Sequence, residues 1–313
     1  LHSSVAILNV KKKKEMSVSI AYLAVLLIWS TTPLGIVWSS ESINPSLAVL
    51  SRMLIALVLG ALVIKVRNIH IPWHKQALKL YSFSALGIFG GMLFSYLSAA
   101  YLSSGIISLV FGLSPVISAL LARKILAEPS ISAMRKFSMA ISLVGLAIVC
   151  SDNFNVADDG IYGVIFILIA VFFFSLSGVL VKSISLAIHP LATTVGALSV
   201  ATPLFLITWL VLDGTLPIDT WQARSIWATV YLGVFGSLIG FYAYFTVLQK
   251  LSASNVTLIT LITPVIALTL GALLNGETIN DKLVLGAFMV ILGLSIYHFA
   301  HLLPQSKKKL LGR

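Results

Sequence analysis

The chain has 313 residues, of which 58% are hydrophobic and only 10% charged, with a mean hydropathy of +1.03. Ordinary soluble domains carry about 45–50% apolar and ~25% charged residues, so this composition excludes a water-soluble fold. At roughly 20 apolar residues per bilayer crossing there is room for about ten spans and short loops, and none for an added soluble domain. The net charge of +11 comes in short basic clusters between apolar runs, without the aromatic interleaving of a base-stacking surface, so no nucleic-acid partner is expected. The single cysteine, Cys150, excludes an intrachain disulfide, and no Cys/His cluster suggests a metal or other cofactor.

In chain order, residues 1–15 form a basic extension, ending in Lys11 to Lys14 ahead of Met16. It reads as a cytoplasmic extension or a start-site artefact before a retained first helix, since no small-residue cleavage site marks a signal peptide. Apolar runs of spanning length then fall at 18–38, 46–64, 80–100, 105–126, 133–151, 161–181, 191–212, 226–248, 253–274 and 283–303, separated by turn residues or charge. Residues 304–313 are a basic tail. With the amino terminus in the cytoplasm, only Arg224 and Lys282 fall outside and Arg52 within a span, leaving 18 of the 21 Lys and Arg residues inside. That distribution obeys the positive-inside rule in both halves, and five spans per half invert the second. The expected fold is therefore an all-α integral membrane protein of ten transmembrane helices, arranged as two inverted five-helix repeats over 16–151 and 152–303, with both termini cytoplasmic.

A fixed offset of 149 positions superposes Gly87 and Gly91 on Gly236 and Gly240, Pro115 on Pro264 and Glu128 on Glu277, with Leu113-Ser114-Pro115-Val116-Ile117 facing Ile262-Thr263-Pro264-Val265-Ile266. A looser match near 145 pairs Trp29-Ser30 with Phe174-Ser175. Inverted repeats are a signature of secondary transporters, whose two halves supply the inward-open and outward-open forms.

Ile28-Trp29-Ser30-Thr31-Thr32-Pro33, Arg52 with Ala56, the block from Ala100 through Pro115 to Glu128 and the block from Leu251 through Pro264 to Gly276-Glu277 together resemble the drug/metabolite transporter superfamily of EamA type, over nearly the whole chain. The resemblance implies ten helices, cytoplasmic termini, a bacterial-type inner membrane, and a central cavity lined mainly by spans one, three, four, six, eight and nine. It departs from the family pattern at Ala127-Glu128-Pro129, where a Gly-Glu pair is usual; Gly276-Glu277 keeps that pair.

The candidate cavity residues are Trp29, Thr32, Arg52, Phe94, Tyr96, Ser114, Pro115, Ser175, Tyr242, Thr260, Thr263 and Pro264. Pro115 and Pro264 each remove a backbone hydrogen bond and kink their spans, freeing carbonyls that must face a cavity or another polar partner. Hydroxyls such as Ser108, Ser114, Thr257, Thr260 and Thr263 line a pathway or bond to a neighbouring helix. Gly87/Gly91 and Gly236/Gly240 are GxxxG motifs for close helix packing. Arg52 is the one formal charge well within a span; binding an anionic group stands beside snorkelling and an interhelical tie, with a slight preference for a structural role. Lys182 reads as a cytoplasmic anchor and His298 as interfacial. No Asp or Glu occupies the middle of a span, so exchange or facilitated diffusion is favoured over a carboxylate proton relay.

The function expected is secondary transport, as an exporter, of a small amphipathic metabolite such as an amino acid, by alternating access; the partners are that solute and the lipid bilayer. A channel or lipid-handling protein is the alternative. An intramembrane enzyme is disfavoured, because Ser114 and Ser177-Gly178 have no histidine near mid-span to act as a base and no HExxH or P-loop signature is present.

Overall fold

The computed structural model describes residues 17–129, 131–151, 159–186, 188–251 and 259–299, except for the side chains of Thr260 and Leu261. The expected extension, basic tail, Thr257 and most of the loop at 152–160 lie outside the described residues. Ten helical spans account for nearly all of the rest: α1 (Val18–Ser39), α2 (Pro45–Arg67), α3 (Lys75–Ser98), α4 (Ser104–Ile125), α5 (Ala133–Cys150), α6 (Gly160–Lys182), α7 (Pro190–Leu212), α8 (Ala223–Lys250), α9 (Ile259–Asn275) and α10 (Asp281–Phe299). Among the described residues nine of them are long and apolar enough to cross a membrane, and α9 is the shorter apolar helix. No strand occurs among the described residues, as expected where every backbone polar group must be satisfied within the bilayer.

Local chemistry sets the helix starts. Ser17 accepts from the Ile20 amide at α1, and Ser132 from the Arg135 amide at α5. Asn44 and His189 cap α2 and α7, each followed by a proline at the first helical position, where its missing N–H costs nothing. The helix ends at Arg67 because Asn68 turns left-handed at φ 49°.

Two spans are irregular. Span α4 consists of Ser104–Phe111 and Ser114–Ile125, broken at Gly112-Leu113 just ahead of Pro115. The expected interruption is therefore present there, whereas Pro264 lies inside an unbroken α9. Span α8 carries a π-helical segment at Leu232–Ile239 between its α-helical ends.

The bundle buries two apolar clusters, one around α1, α2, α3, α7 and α8, the other around α4, α5, α6 and α10. Val58, Leu62 and Val66 on α2, Ile207 and Val211 on α7, and Leu285 and Phe288 on α10 are exposed, giving the apolar outer surface of a protein that sits in lipid. The principal helix contacts largely map onto themselves when each helix is exchanged for the one five further on. Thus α1 with α9 answers α6 with α4, α3 with α6 answers α8 with α1, and α2 with α8 answers α7 with α3; α2 with α7, α4 with α9 and α5 with α10 are self-paired.

Candidate central cavity and its two ends

Helices α1, α2, α3, α4, α6, α8 and α9 surround a deep pocket of about 70 Å³, lined by Thr32, Arg52, Ser108, Ser114, Thr263 and several aromatic rings. A second cavity of about 190 Å³ shares Trp29, Ser114 and Phe174 with it and runs to exposed Glu128 and Lys182 at the helix ends. Both far exceed the roughly 10–15 Å³ that one water requires. The junction is aromatic: Trp29 meets Phe174 edge-on at 5.5 Å and Tyr244 at 5.2 Å, and Phe111 lies 5.9 Å from Phe174.

Arg52 is fully buried, so it does not snorkel. Its Nε donates to Ser237 Oγ at 2.9 Å, tying α2 to the π-helical segment of α8. The guanidinium carbon lies 5.7 Å from the centre of the Tyr96 ring, a cation–π contact. Among the described residues neither Nη1 nor Nη2 has a hydrogen-bond partner. Room for the guanidinium comes from Gly236, where a β-carbon would lie 2.9 Å from Nη2.

The other expected cavity residues divide. Trp29 and Ser114 line both cavities, Thr32 and Thr263 the deep one, and Pro115 the outer one. The Thr32 hydroxyl donates to its own helix at the Ile28 carbonyl, 2.7 Å away. Ser175 lies behind the wall, donating to the Ser114 carbonyl at 3.2 Å. Tyr96 supports Arg52 and accepts from Ser39 Oγ. Phe94 stacks on Phe173 at 6.0 Å between α3 and α6, outside the lining of either cavity. Tyr242 stacks on His189 at 6.1 Å and lines a separate surface pocket with Arg67. Pro264 is buried without lining either cavity, and the side chain of Thr260 lies outside the described residues.

Of the packing glycines, Gly87 is tight, with a β-carbon position 2.5 Å from Ser177 Cβ, but Gly91 has ordinary clearance of 3.6 Å. The unanticipated tight neighbour is Gly90, pressed onto the Phe173 ring. At Gly240 a β-carbon would stand 3.1 Å from the Phe235 carbonyl.

Phe111, Phe174 and Phe241 complete the deep wall. Phe174 had a signal in the sequence, since the repeat sets it opposite Trp29, and so had Phe241, which with Tyr242 and Tyr244 forms an aromatic run on α8 suited to a stacking wall. Lys182 and His298, read as anchor and interfacial, line the outer cavity with Glu128 and Arg135.

The opposite end is cross-linked by side-chain contacts among the described residues. Glu277 accepts from the backbone amides of Ser104 at 2.9 Å and Gly105 at 3.2 Å, a carboxylate at the positive end of α4. Gly276, at φ 62°, makes the turn that aims it. Trp38 Nε1 donates to Asn275 Oδ1 at 2.8 Å, and Arg224 bridges to Glu41 at 2.8 Å. Ala127, the repeat partner of Gly276, adopts the same left-handed conformation at φ 52°. The Glu128 amide points back to the Ala122 carbonyl as the Glu277 amide does to Gly271.

An apolar-surfaced helical bundle around a central pocket with apolar walls, a buried arginine and a few hydroxyls defines an integral membrane protein with a cavity of small-solute size. The chain belongs to the EamA-like transporter family, which it matches over residues 16–151 and again over 161–298. It is 26% identical to an uncharacterized transporter of Archaeoglobus fulgidus across 86% of this chain and 94% of that one. Protein PagO of Salmonella typhimurium is 25% identical, covering 94% and 97%. The uncharacterized transporter YoaV of Bacillus subtilis is 21% identical, covering 91% and 97%. A solved crystal structure 15% identical in sequence shares the fold with a TM-score of 0.66, over 91% of this chain and 98% of that one.

Proposed function

We propose that this chain is a secondary transporter that exports a small amphipathic organic metabolite by alternating access, and that its two EamA repeats are inverted about an axis in the membrane plane. The observation that carries this reading is the central cavity, which reaches one face of the bundle while hydrogen bonds and an ion pair close the other. The open end bears Arg135 and Lys182, on the side that the Lys/Arg distribution assigns to the cytoplasm; the closed end bears Glu41, Glu277 and Arg224. An inward-facing form loaded from the cytoplasm fits an exporter. The exchange of helix contacts by five positions and the shared backbone turn at Ala127 and Gly276 support two structurally equivalent halves, the construction from which alternating access is readily built.

The test is transport by the purified protein in proteoliposomes, screening amino acids and related solutes first by thermal shift. Saturable counterflow of a hit is the expected result. Unsaturable conductance would favour a channel, and turnover of the hit in detergent an enzyme.

A further inference from the structure

We infer that the free edge of the Arg52 guanidinium is a subsite for a carboxylate, so that the solute carried is a small monocarboxylate with an apolar or aromatic body. This rests on the transporter reading above. Arg52 is an always-charged group held at 0% exposure, and burying such a charge is costly unless it is paired and hydrogen-bonded. Ser237 satisfies one of its three nitrogens. The Glu41–Arg224 ion pair lies at the helix ends, and Arg52 has no carboxylate partner among the described residues. The Tyr96 ring offers only the modest attraction of a cation–π contact. Nη1 and Nη2 thus remain without an acceptor, and together they form the planar two-donor edge that a carboxylate matches through two parallel bonds.

The rest of the pocket fixes the body of the occupant. Trp29, Phe111, Phe174 and Phe241 form apolar walls, while Arg52 is the sole charged residue in the deep lining. One fixed cation balances one negative charge, which favours a monocarboxylate over a dianionic phosphate. The two nitrogens are shielded from water, so the acid must displace a neighbour; unbranched Met92, in the same lining, is a side chain that can yield.

The experiment compares acid and amide pairs of matched shape, butyrate with butyramide and 3-phenylpropionate with 3-phenylpropionamide, on the full-length protein in nanodiscs. Calorimetry should find at least one acid bound about tenfold more tightly than its amide, equivalent to ~1.4 kcal/mol. Arg52→Gln should abolish that difference, and Arg52→Lys should retain part of it, because lysine keeps the charge but loses the fork. Equal binding of acid and amide in both pairs, or no binding of either acid, would overturn the inference on the wild-type protein alone, whatever the Arg52 variants do to folding. Acid binding without saturable counterflow in proteoliposomes would leave the subsite standing and sink the transporter reading. Equal counterflow of acid and amide would do the reverse.

Discussion

Gly87, Gly90 and Gly91 lie within five residues on α3, yet a side chain at each would meet a different neighbour. Gly90→Ala presses into the Phe173 ring and Gly87→Ala into Ser177, whereas Gly91→Ala has space. Overpacking typically costs ~1–3 kcal/mol, so the first two should lower the melting temperature in detergent and the third should leave it nearly unchanged; equal losses at all three would refute this assignment. Ala127 makes the opposite case. An alanine in the left-handed region costs roughly 1–2 kcal/mol that glycine does not, and Ala127→Gly should stabilise the protein by up to that amount, less the extra freedom glycine gives the unfolded chain. A drop in melting temperature would show that the left-handed turn is not strained.

Such distinctions were only partly legible in the sequence. The GxxxG spacing identified the glycine-bearing face of α3, but a helix turns ~100° per residue, and which of two adjacent glycines meets the partner depends on how the helix is rotated. The same rotation separates Tyr242 from Tyr244: two residues along α8, the first faces His189 at the surface and the second the central aromatic cluster. Arg52 was legible as an anomaly because charge is costly inside a span. Its partner Ser237 was not, since nothing local pairs residues 185 positions apart.

At the scale of elements, the break in α4 follows from Pro115 and was readable in advance, whereas the π segment of α8 has no such local cause. It coincides with Gly233, Gly236 and Ser237, where α8 passes Arg52 and its backbone, and π segments are frequent at functional sites. The carboxylate of Glu277 joins α9 to the start of α4. Glu277→Ala leaves the amides of Ser104 and Gly105 without their acceptor, a loss of ~1–3 kcal/mol for a buried donor. A cysteine introduced at Thr32 should then react faster with a membrane-impermeant maleimide added from the outside. Unchanged labelling would mean that Glu277 does not hold that end closed.

For the whole molecule, nine of the expected spans recur as helices long and apolar enough to cross a membrane among the described residues, and the run at 253–274 as the shorter apolar helix α9, because hydropathy over ~20 residues is a strong signal; the partner of each helix was not readable from any single span. The native cysteine, Cys150, is buried, so single cysteines can be placed in the natural chain with little background. Residues 65–79 and 127–129 should label from the cytoplasm and 213–222 from outside. Finding Asp158 and Lys75 on one side would refute the inverted arrangement.

On the alternating-access reading proposed above, the cross-linked end has a thermodynamic consequence for how tightly a solute binds from each side. A site exposed to the outside only after the Trp38–Asn275, Glu41–Arg224 and Glu277 contacts part is competent in a minority of molecules, and its apparent affinity falls by that fraction. Were parting them to cost ~2.8 kcal/mol, external solute would bind about a hundredfold more weakly than cytoplasmic solute at the same intrinsic site. Glu277→Ala shifts that balance, so half-saturation concentrations measured from the two faces of oriented vesicles should converge, the outer one falling as the inner one rises. Parallel changes on both faces would indicate a damaged site and not a redistributed population.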